Sequence, residues 1–316
     1  MLVSAGKINF PEDLAESLSP LADVAYVQGD YTGQLRDATA VIVSMEKVNE
    51  AYLAKAPKLR IVARFGVGYD TVDVDACTKR NVHVTYTPDV LSAAVADLTW
   101  ALILGFMRRI PEADRFTREE WGRKSGGFPF GWDVKGKTLG FLGLGRIGTE
   151  AAKRAQGFDL KLIYRDIVPK PEQERLYGVK PVSFEELLRT SDILSIHVPL
   201  LPSTRHIIGR RELAMMKKTA IIINTSRGPV IDQDVMAEAL AEKRIAGAAL
   251  DVFEAEPIPL DHPLLKLDNV VVTPHIASAT WETRRRMAER CAESVKTLLE
   301  GKRPPFTVPE QENISF

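Results

Sequence analysis

The sequence predicts an α/β protein of two domains built on parallel sheets, and three observations carry that expectation. The chain has 316 residues, more than one ordinary hydrophobic core accommodates. Short β-branched runs alternate with amphipathic stretches along its length, which is the rhythm of parallel strands covered by helices. A glycine-rich turn also joins one such run to a helix-forming segment, at the start of what reads as a second set of strands and helices.

Composition narrows the class of partner. Hydrophobic residues make up 45% and charged residues 27% of the chain, close to the average for compact soluble proteins. Lys plus Arg and Asp plus Glu both number 42, so no net field draws the protein to nucleic acid or to an anionic membrane. The opening MLVSAGKINFPEDLAE has no basic start followed by an apolar stretch, and the longest apolar run, Leu98 to Met107, is about half of a membrane span. Cys77 and Cys291 lack a second thiol or His at ligand spacing, which argues against a disulfide framework and a structural zinc site. The expectation is a cytoplasmic protein with no metal, no membrane partner and no nucleic-acid partner.

In chain order, VAYV, AVIVS, LRIVARF and VHVTY fall between residues 24 and 87 and form a small first α/β unit. DVLSAAVADLTWALILGFMRR, from Asp89 to Arg109, is helix-forming and apolar on most faces, so it is expected to be buried on more than one side. Between Thr117 and Lys137 the pattern collapses into Gly, Pro and aromatics, predicting a long arm. Six further runs follow: TLGFLG, LKLIY, DILSIHVP, AIIINT, AGAALDVF and VVVTPH. A last helix, Trp281 to Glu300, stops at Gly301 before KRPPF, whose prolines cannot continue it. If the chain ends near where it began, the first domain is discontinuous. No internal repeat or low-complexity segment is apparent.

KTLGFLGLGRIGTEAAKRAQGF places Gly143, Gly145 and Gly148 at a strand-to-helix turn, the context that turns a weak glycine pattern into a dinucleotide-binding motif of the Rossmann type. Gly143 permits the tight turn, Gly145 admits a pyrophosphate close to the backbone, and Gly148 lets the helix sit against the strand. Arg146 and Ile147 would donate their amides at the positive helix N-terminus. Asp166, 18 residues beyond Gly148, is placed to accept the hydroxyls of the adenosine ribose and to repel a 2′-phosphate, which favours NAD. Arg165 beside it leaves NADP open.

Three segments stand at the ends of later strands: INTSRGPVID, LDVFEAEP and TPHIASAT, where ligands bind in open α/β sheets. A carbonyl that accepts hydride becomes an alkoxide and needs a proton donor, for which His275 is the candidate. A neighbouring carboxylate, Glu256, would orient that imidazole and favour its charged form. A substrate carboxylate calls for the planar two-donor fork of an arginine, here Arg227. These residues point to hydride transfer on a small 2-keto or 2-hydroxy acid.

The same segments, with VARFGVGYDTVDVDACTKRNVHV before the glycine turn and SDILSIHVPLLPSTRHII after it, resemble the D-isomer-specific 2-hydroxyacid dehydrogenase family over essentially the whole chain. The resemblance implies that Arg227, Glu256 and His275 are the catalytic Arg, Glu and His, that Val67 and Gly68 donate backbone amides to the substrate carboxylate, and that Asp251 holds the nicotinamide amide. It also assigns His197, Val198, Pro199 and Thr204 to the wall around adenine and pyrophosphate, with Thr225 and Ser226 near the nicotinamide.

The resemblance further implies a Rossmann-type doubly wound sheet inserted into a smaller, flavodoxin-like α/β domain. Residues 1–92 and 286–316 would form the substrate domain and 93–285 the dinucleotide domain, with one crossing before Trp100, another near Ala288, and a cleft that closes for catalysis. Relatives of this kind commonly dimerise through the nucleotide domain, where the apolar helix and the arm bearing Trp121 and Trp132 would serve.

YTPDVLSAAVADLTWALIL and the arm before GKTLGFLG are similar to glyoxylate and hydroxypyruvate reductases. A D-3-phosphoglycerate dehydrogenase remains an alternative, weakened because VIVSMEK, Val41 to Lys47, lacks the expected phosphate-binding Arg. Glu256 argues against formate oxidation, which uses Gln there. A dinucleotide-sensing protein with incidental turnover is the alternative from another class. His206 and His262 read as surface or capping residues, His83 as structural, Cys77 as inert, and TRRRMAER as a solvated cationic helix face.

Overall fold

The structure is a computed structural model and describes residues 1–4, 10–27, 29–122 and 127–314. Part of the expected arm, 123–126, and part of the opening segment, 5–9, lie outside the described residues. The chain divides into two compact units, one formed by Met1–Leu91 with Ser278–Phe316 and the other by Ser92–Ala277.

Elements run in chain order. The first are β1 (Leu2–Ser4), α1 (Glu12–Leu18), β2 (Ala25–Val27), β3 (Ala40–Val43), α2 (Glu50–Ala54), β4 (Ile61–Arg64), α3 (Val74–Lys79) and β5 (His83–Thr85). Next come α4 (Ser92–Met107), α5 (Ile110–Glu119), β6 (Thr138–Leu142), α6 (Arg146–Arg154), β7 (Lys161–Arg165), α7 (Pro171–Tyr177), β8 (Lys180–Pro181), α8 (Phe184–Thr190) and β9 (Ile193–Ile196). The chain finishes with α9 (Arg210–Met215), β10 (Ile221–Asn224), α10 (Gln233–Ala241), β11 (Gly247–Leu250), β12 (Val270–Val272) and α11 (Trp281–Leu299).

The first unit holds a parallel sheet of order β2-β1-β3-β4-β5. Strands β3, β4 and β5 are buried at every position, which is why they read as unbroken apolar runs rather than alternating ones. The unit has one strand more than the sequence runs suggested. β1 is only three residues long, too short to show periodicity, yet it pairs with β2 on one side and β3 on the other. The end of the chain returns to this unit: Val308 N–H donates to Val84 O at 3.0 Å, and Val84 N–H donates to the buried Gln311 side chain at 2.7 Å.

The return crossing lies between Ala277 and Ser278, eight residues before the expected boundary at 285/286. All of α11 belongs to the first unit, where it packs on α1 and β4. Ala288 is therefore a fully buried helix residue and not a hinge. The cationic run on this helix is also more than a solvated face. Arg285 grips Asp13 through two nitrogens at 2.7 and 2.8 Å, and Arg284 lies over the Phe65 ring at 5.5 Å, where burial lowers its pKa.

The second unit holds a seven-stranded parallel sheet of order β12-β11-β10-β9-β6-β7-β8. The order reverses at β6, so the switch point lies between β6 and β9. Apolar side chains cover both faces: Leu187, Ile208, Val230 and Leu240 contribute to one layer, and Ile103, Phe141, Ala152 and Ile223 to the other. Helix α4 is buried along most of its length, as its composition predicts. Trp100 stacks on Phe158 at 4.4 Å and donates its indole N–H to Ala151 O at 2.9 Å, fixing α4 against α6. At Trp132 the arm lies against α4, since Trp132 N–H donates to Met107 O at 2.8 Å and its ring stacks on Phe106 at 6.0 Å.

Candidate active site

The candidate residues of the second unit all follow strands of its sheet. Gly143 comes after β6, Asp166 after β7, His197 after β9, Thr225 to Arg227 after β10, Asp251 after β11 and His275 after β12. Every pairing in the sheet is parallel, so these positions share its C-terminal edge, where open α/β sheets bind ligands.

At the switch point the glycine turn meets the end of β9. Gly143 has φ +90°, and a Cβ there would lie 2.9 Å from the His197 backbone. A Cβ on Gly148 would lie 2.5 Å from Gly143 O, so only glycine lets α6 start this close to β6. A Cβ on Gly145 would meet no protein atom within 4 Å, which leaves the first amides of α6, those of Arg146 and Ile147, approachable. Helical geometry gives those amides no intrahelical acceptor, and the residues present therefore fit a bound pyrophosphate.

Asp166 braces this turn. Its Oδ2 accepts from Leu144 N–H at 2.7 Å and its Oδ1 from Val168 N–H at 3.0 Å. Arg165 is exposed and bends back to donate to Asp166 O at 2.8 Å.

His197 pairs through Nε2 with the buried Ser195 hydroxyl at 2.8 Å, while its Nδ1 is buried without a partner. Burial pushes its pKa down to about 4, so the ring is neutral near pH 7. Val198 and Pro199 follow it at the strand end. The Thr204 hydroxyl is engaged locally, donating to Pro199 O at 2.6 Å and accepting from Leu201 N–H at 2.8 Å.

The structure brings His275 and Glu256 together: His275 Nδ1 lies 2.6 Å from Glu256 Oε2, and Glu256 Oε1 accepts from Phe253 N–H at 3.1 Å. Burial works to raise the Glu256 pKa, but the hydrogen bond and charge of His275, the Phe253 amide and the Arg227 charge outweigh it and hold the carboxyl below its ordinary value. Glu256 engages Nδ1 of the His275 ring, the nitrogen on the side away from Nε2.

Asp251 builds the turn that carries the histidine. It is fully buried; Oδ1 accepts from Thr273 Oγ1 at 2.6 Å and Ile276 N–H at 2.8 Å, and Oδ2 from Ala277 N–H at 2.9 Å. Its backbone O accepts from His275 N–H at 2.9 Å, which fixes His275 at φ +54°, a conformation most side chains avoid. Burial raises the Asp251 pKa despite these donors. Three of its roughly four acceptor positions are thereby used.

Arg227 sits in a loop that Asn224 organises. Asn224 Nδ2 donates to Arg227 O at 2.9 Å, and Asn224 Oδ1 accepts from the Ser226 amide and hydroxyl at 3.0 and 2.9 Å. The guanidinium donates to Ser226 O at 2.8 Å. A Cβ on Gly228 would fall 1.9 Å from the Phe253 carbonyl carbon, so the absence of a side chain brings the Arg227 loop onto the loop bearing Glu256. Thr225 is buried, its hydroxyl 3.0 Å from that of Thr99 on α4.

Val67 and Gly68 belong to the other unit, in the partly exposed loop after β4. Sequence reasoning did not single out Asn224, Thr273 or Ser195, although all three lie inside the quoted motifs. His262 caps the turn at Leu264 through Nδ1 at 3.2 Å and is mostly buried rather than a surface residue. Both cysteines are buried, with thiols pushed up to about 12 by burial. Among the described residues no His, Cys, Asp or Glu group converges as a metal site, and no helix is long and apolar enough to cross a membrane.

A glycine turn at the sheet's switch point and an imidazole–carboxylate pair beside an arginine define an oxidoreductase that exchanges hydride with a nicotinamide dinucleotide. The chain belongs to the D-isomer specific 2-hydroxyacid dehydrogenases, whose NAD binding domain matches residues 100–277. It is 47% identical over 283 residues to a glyoxylate reductase of Korarchaeum cryptofilum, covering 88% of this chain and 85% of that one. The structure is similar to a glyoxylate reductase from Paecilomyes thermophila, with a TM-score of 0.86 at 33% identity over 98% of both chains. It is similar as well to an NADPH-dependent glyoxylate/hydroxypyruvate reductase from Sinorhizobium meliloti, solved with NADP and malonate, with a TM-score of 0.87 at 32% identity over 98% of this chain and 96% of that one.

Proposed function

We propose that this dehydrogenase reduces glyoxylate, and hydroxypyruvate as a second substrate, to the 2-hydroxy acid with NADH as the preferred donor. The observation that carries the reading is the 2.6 Å pair of His275 Nδ1 and Glu256 Oε2, with the Arg227 charge acting on the same carboxylate. The names of the relatives support a short, unbranched keto acid.

In this reading Arg227 holds the substrate carboxylate with its planar fork, and the backbone amides of Val67 and Gly68 are assigned to the same group. The reduced dinucleotide, when bound, supplies hydride to the keto carbon. His275 delivers the balancing proton from Nε2 to the carbonyl oxygen, and Glu256 stabilises the imidazolium before transfer. Asp251 keeps His275 in position and is assigned to the nicotinamide amide through its remaining acceptor position. Thr225 and Ser226 are assigned to the nicotinamide side and His197 to Thr204 to the adenine and pyrophosphate side. We assign the first unit to substrate binding. Cytoplasmic residence and a homodimer complete the reading; free buried cysteines support the first, and exposed Ile110, Phe130 and Trp132 near α4 support the second.

The test is the loss of NADH absorbance on adding glyoxylate, hydroxypyruvate, pyruvate or phosphohydroxypyruvate, repeated with NADPH. The expected order has glyoxylate with NADH highest in kcat/KM. A preference for phosphohydroxypyruvate would overturn the substrate assignment, and no consumption with any acid would favour a dinucleotide sensor.

A further inference from the structure

One residue ties together three loops at the C-terminal edge of the second unit's sheet. His206, in the loop after β9, donates its backbone N–H to Pro229 O at 2.8 Å, just past Arg227 in the loop after β10. Its ring reaches the other way, with Nε2 2.6 Å from Glu254 Oε1, just before Glu256 in the loop after β11. A carboxylate only accepts, so Nε2 carries the proton of this pair. His206 holds φ +52° to make both contacts, a conformation that most side chains avoid. The segment it grips is also tied at Glu254 N–H, which donates at 2.9 Å to Gln233 Oε1 at the head of α10. The Arg227 loop has its own anchors, since Asn224 Nδ2 donates to Arg227 O at 2.9 Å and Ile208 N–H to Val230 O at 3.3 Å.

We propose that His206 is a positioning residue for the acid–base pair: by gripping Glu254 it fixes the turn that carries Glu256, and so the angle at which that carboxylate meets the His275 ring. The inference rests on the reading of Glu256 and His275 as that pair. Both members of the His206–Glu254 contact are partly exposed, and an ion pair of that kind adds little to stability. What it secures is position. Glu256 Oε2 and His275 Nδ1 are 2.6 Å apart, and a misplacement of about 1 Å in such a constellation costs up to about 10²-fold in rate. Because Arg227 is anchored separately, loss of the His206 ring acts on proton transfer and leaves substrate binding in place.

Two substitutions separate position from fold. Asparagine tolerates a positive φ better than glutamine but stops short of Glu254, whereas the glutamine amide nitrogen stands near where the imidazole Nε2 does. Kinetics with the keto acid that wild type reduces fastest are read beside melting temperatures. His206→Asn is expected to lower kcat by at least about threefold with KM for the keto acid within about twofold of wild type. His206→Gln is expected to recover most of that kcat while melting below His206→Asn. Glu254→Ala, which keeps its backbone bond to Gln233, is expected to match His206→Asn, and the double variant to lose nothing more, as two sides of one contact. A His206→Asn kcat within about twofold of wild type, or above that of His206→Gln, overturns the proposal. A fully active His275→Ala, or a wild type that turns over no keto acid, overturns the acid–base reading and this inference with it. An impaired His275→Ala beside an unimpaired His206→Asn overturns the inference alone.

Discussion

His275 is held from two directions by Asp251 and Glu256: its backbone N–H donates to Asp251 O at 2.9 Å while its Nδ1 meets Glu256 Oε2 at 2.6 Å. One acidic residue sets the main chain of this histidine and the other sets its ring. The division explains why a histidine with φ +54° is tolerated here, since local strain of this kind persists where surrounding bonds over-determine it.

Separate roles for Arg227 and His275 predict separate kinetic signatures. Arg227→Ala is expected to raise KM for the keto acid by roughly 10- to 100-fold, the worth of charge-assisted hydrogen bonds. His275→Ala is expected to lower kcat by about 10²- to 10⁴-fold. Steady-state kinetics on both variants check this, and an active His275→Ala enzyme removes the histidine from the chemistry.

Glu256 gives a pH signature. Its carboxyl is held below its ordinary value of 4.5, so its contribution to stability is fully present above that value and is lost as pH falls through the lowered folded pKa. Glu256→Gln, which cannot ionise, is expected to melt below wild type at pH 6 and to converge with it under more acid conditions. Its kcat is expected to drop by at least about tenfold. Melting curves at several pH values decide, and a gap that widens with acid contradicts the assignment.

His197 shifts stability in the same direction, but over a higher pH range. Its pKa of about 4 lies below the roughly 6.5 of an unfolded chain, so the unfolded state binds more protons and stability falls between those two values. At pH 5 the penalty relative to pH 7 is at most about 2 kcal/mol. His197→Gln removes this penalty, whatever it does at neutral pH. Urea unfolding at both pH values measures it, and equal acid sensitivity of wild type and variant would show that the ring is not buried neutral.

Gly228→Ala tests the contact between the loop bearing Arg227 and the loop bearing Glu256. With a Cβ 1.9 Å from the Phe253 carbonyl carbon, the backbones must separate, at a cost of at least about 1–3 kcal/mol. Denaturant unfolding is expected to show that loss, and KM for the keto acid is expected to rise as Arg227 moves. Wild-type values for both would mean that the loops are not in contact.

Much of the site was legible because its chemistry resides in residue type and position. Gly143, Asp166, Arg227, Asp251, Glu256 and His275 each stand just past an apolar run or within the loop that follows it, and a parallel strand buried on both faces writes itself as such a run. What escaped depended on folding. β1 is too short to show a period, and β8, Lys180–Pro181, is a two-residue exposed edge. Asn224 and Thr273 act by hydrogen bonds to residues brought near only by loop shape. The return crossing was misplaced because α11 is continuous through Ala288, and only its packing reveals which unit owns it. The partners of Asp166 were hidden for the same reason: a carboxylate aimed at a ribose and one bracing a glycine turn look alike in a string of letters.

The first unit is assembled from two stretches that flank the second in sequence, Met1–Leu91 and Ser278–Phe316, with Val308 and Gln311 bonded to Val84 on β5. During synthesis the second unit has all of its residues once Ala277 has left the ribosome, whereas the first must wait for the stretch after Ser278 to emerge before β5 gains these partners. The nascent chain thus completes its inner unit ahead of the one that was begun first.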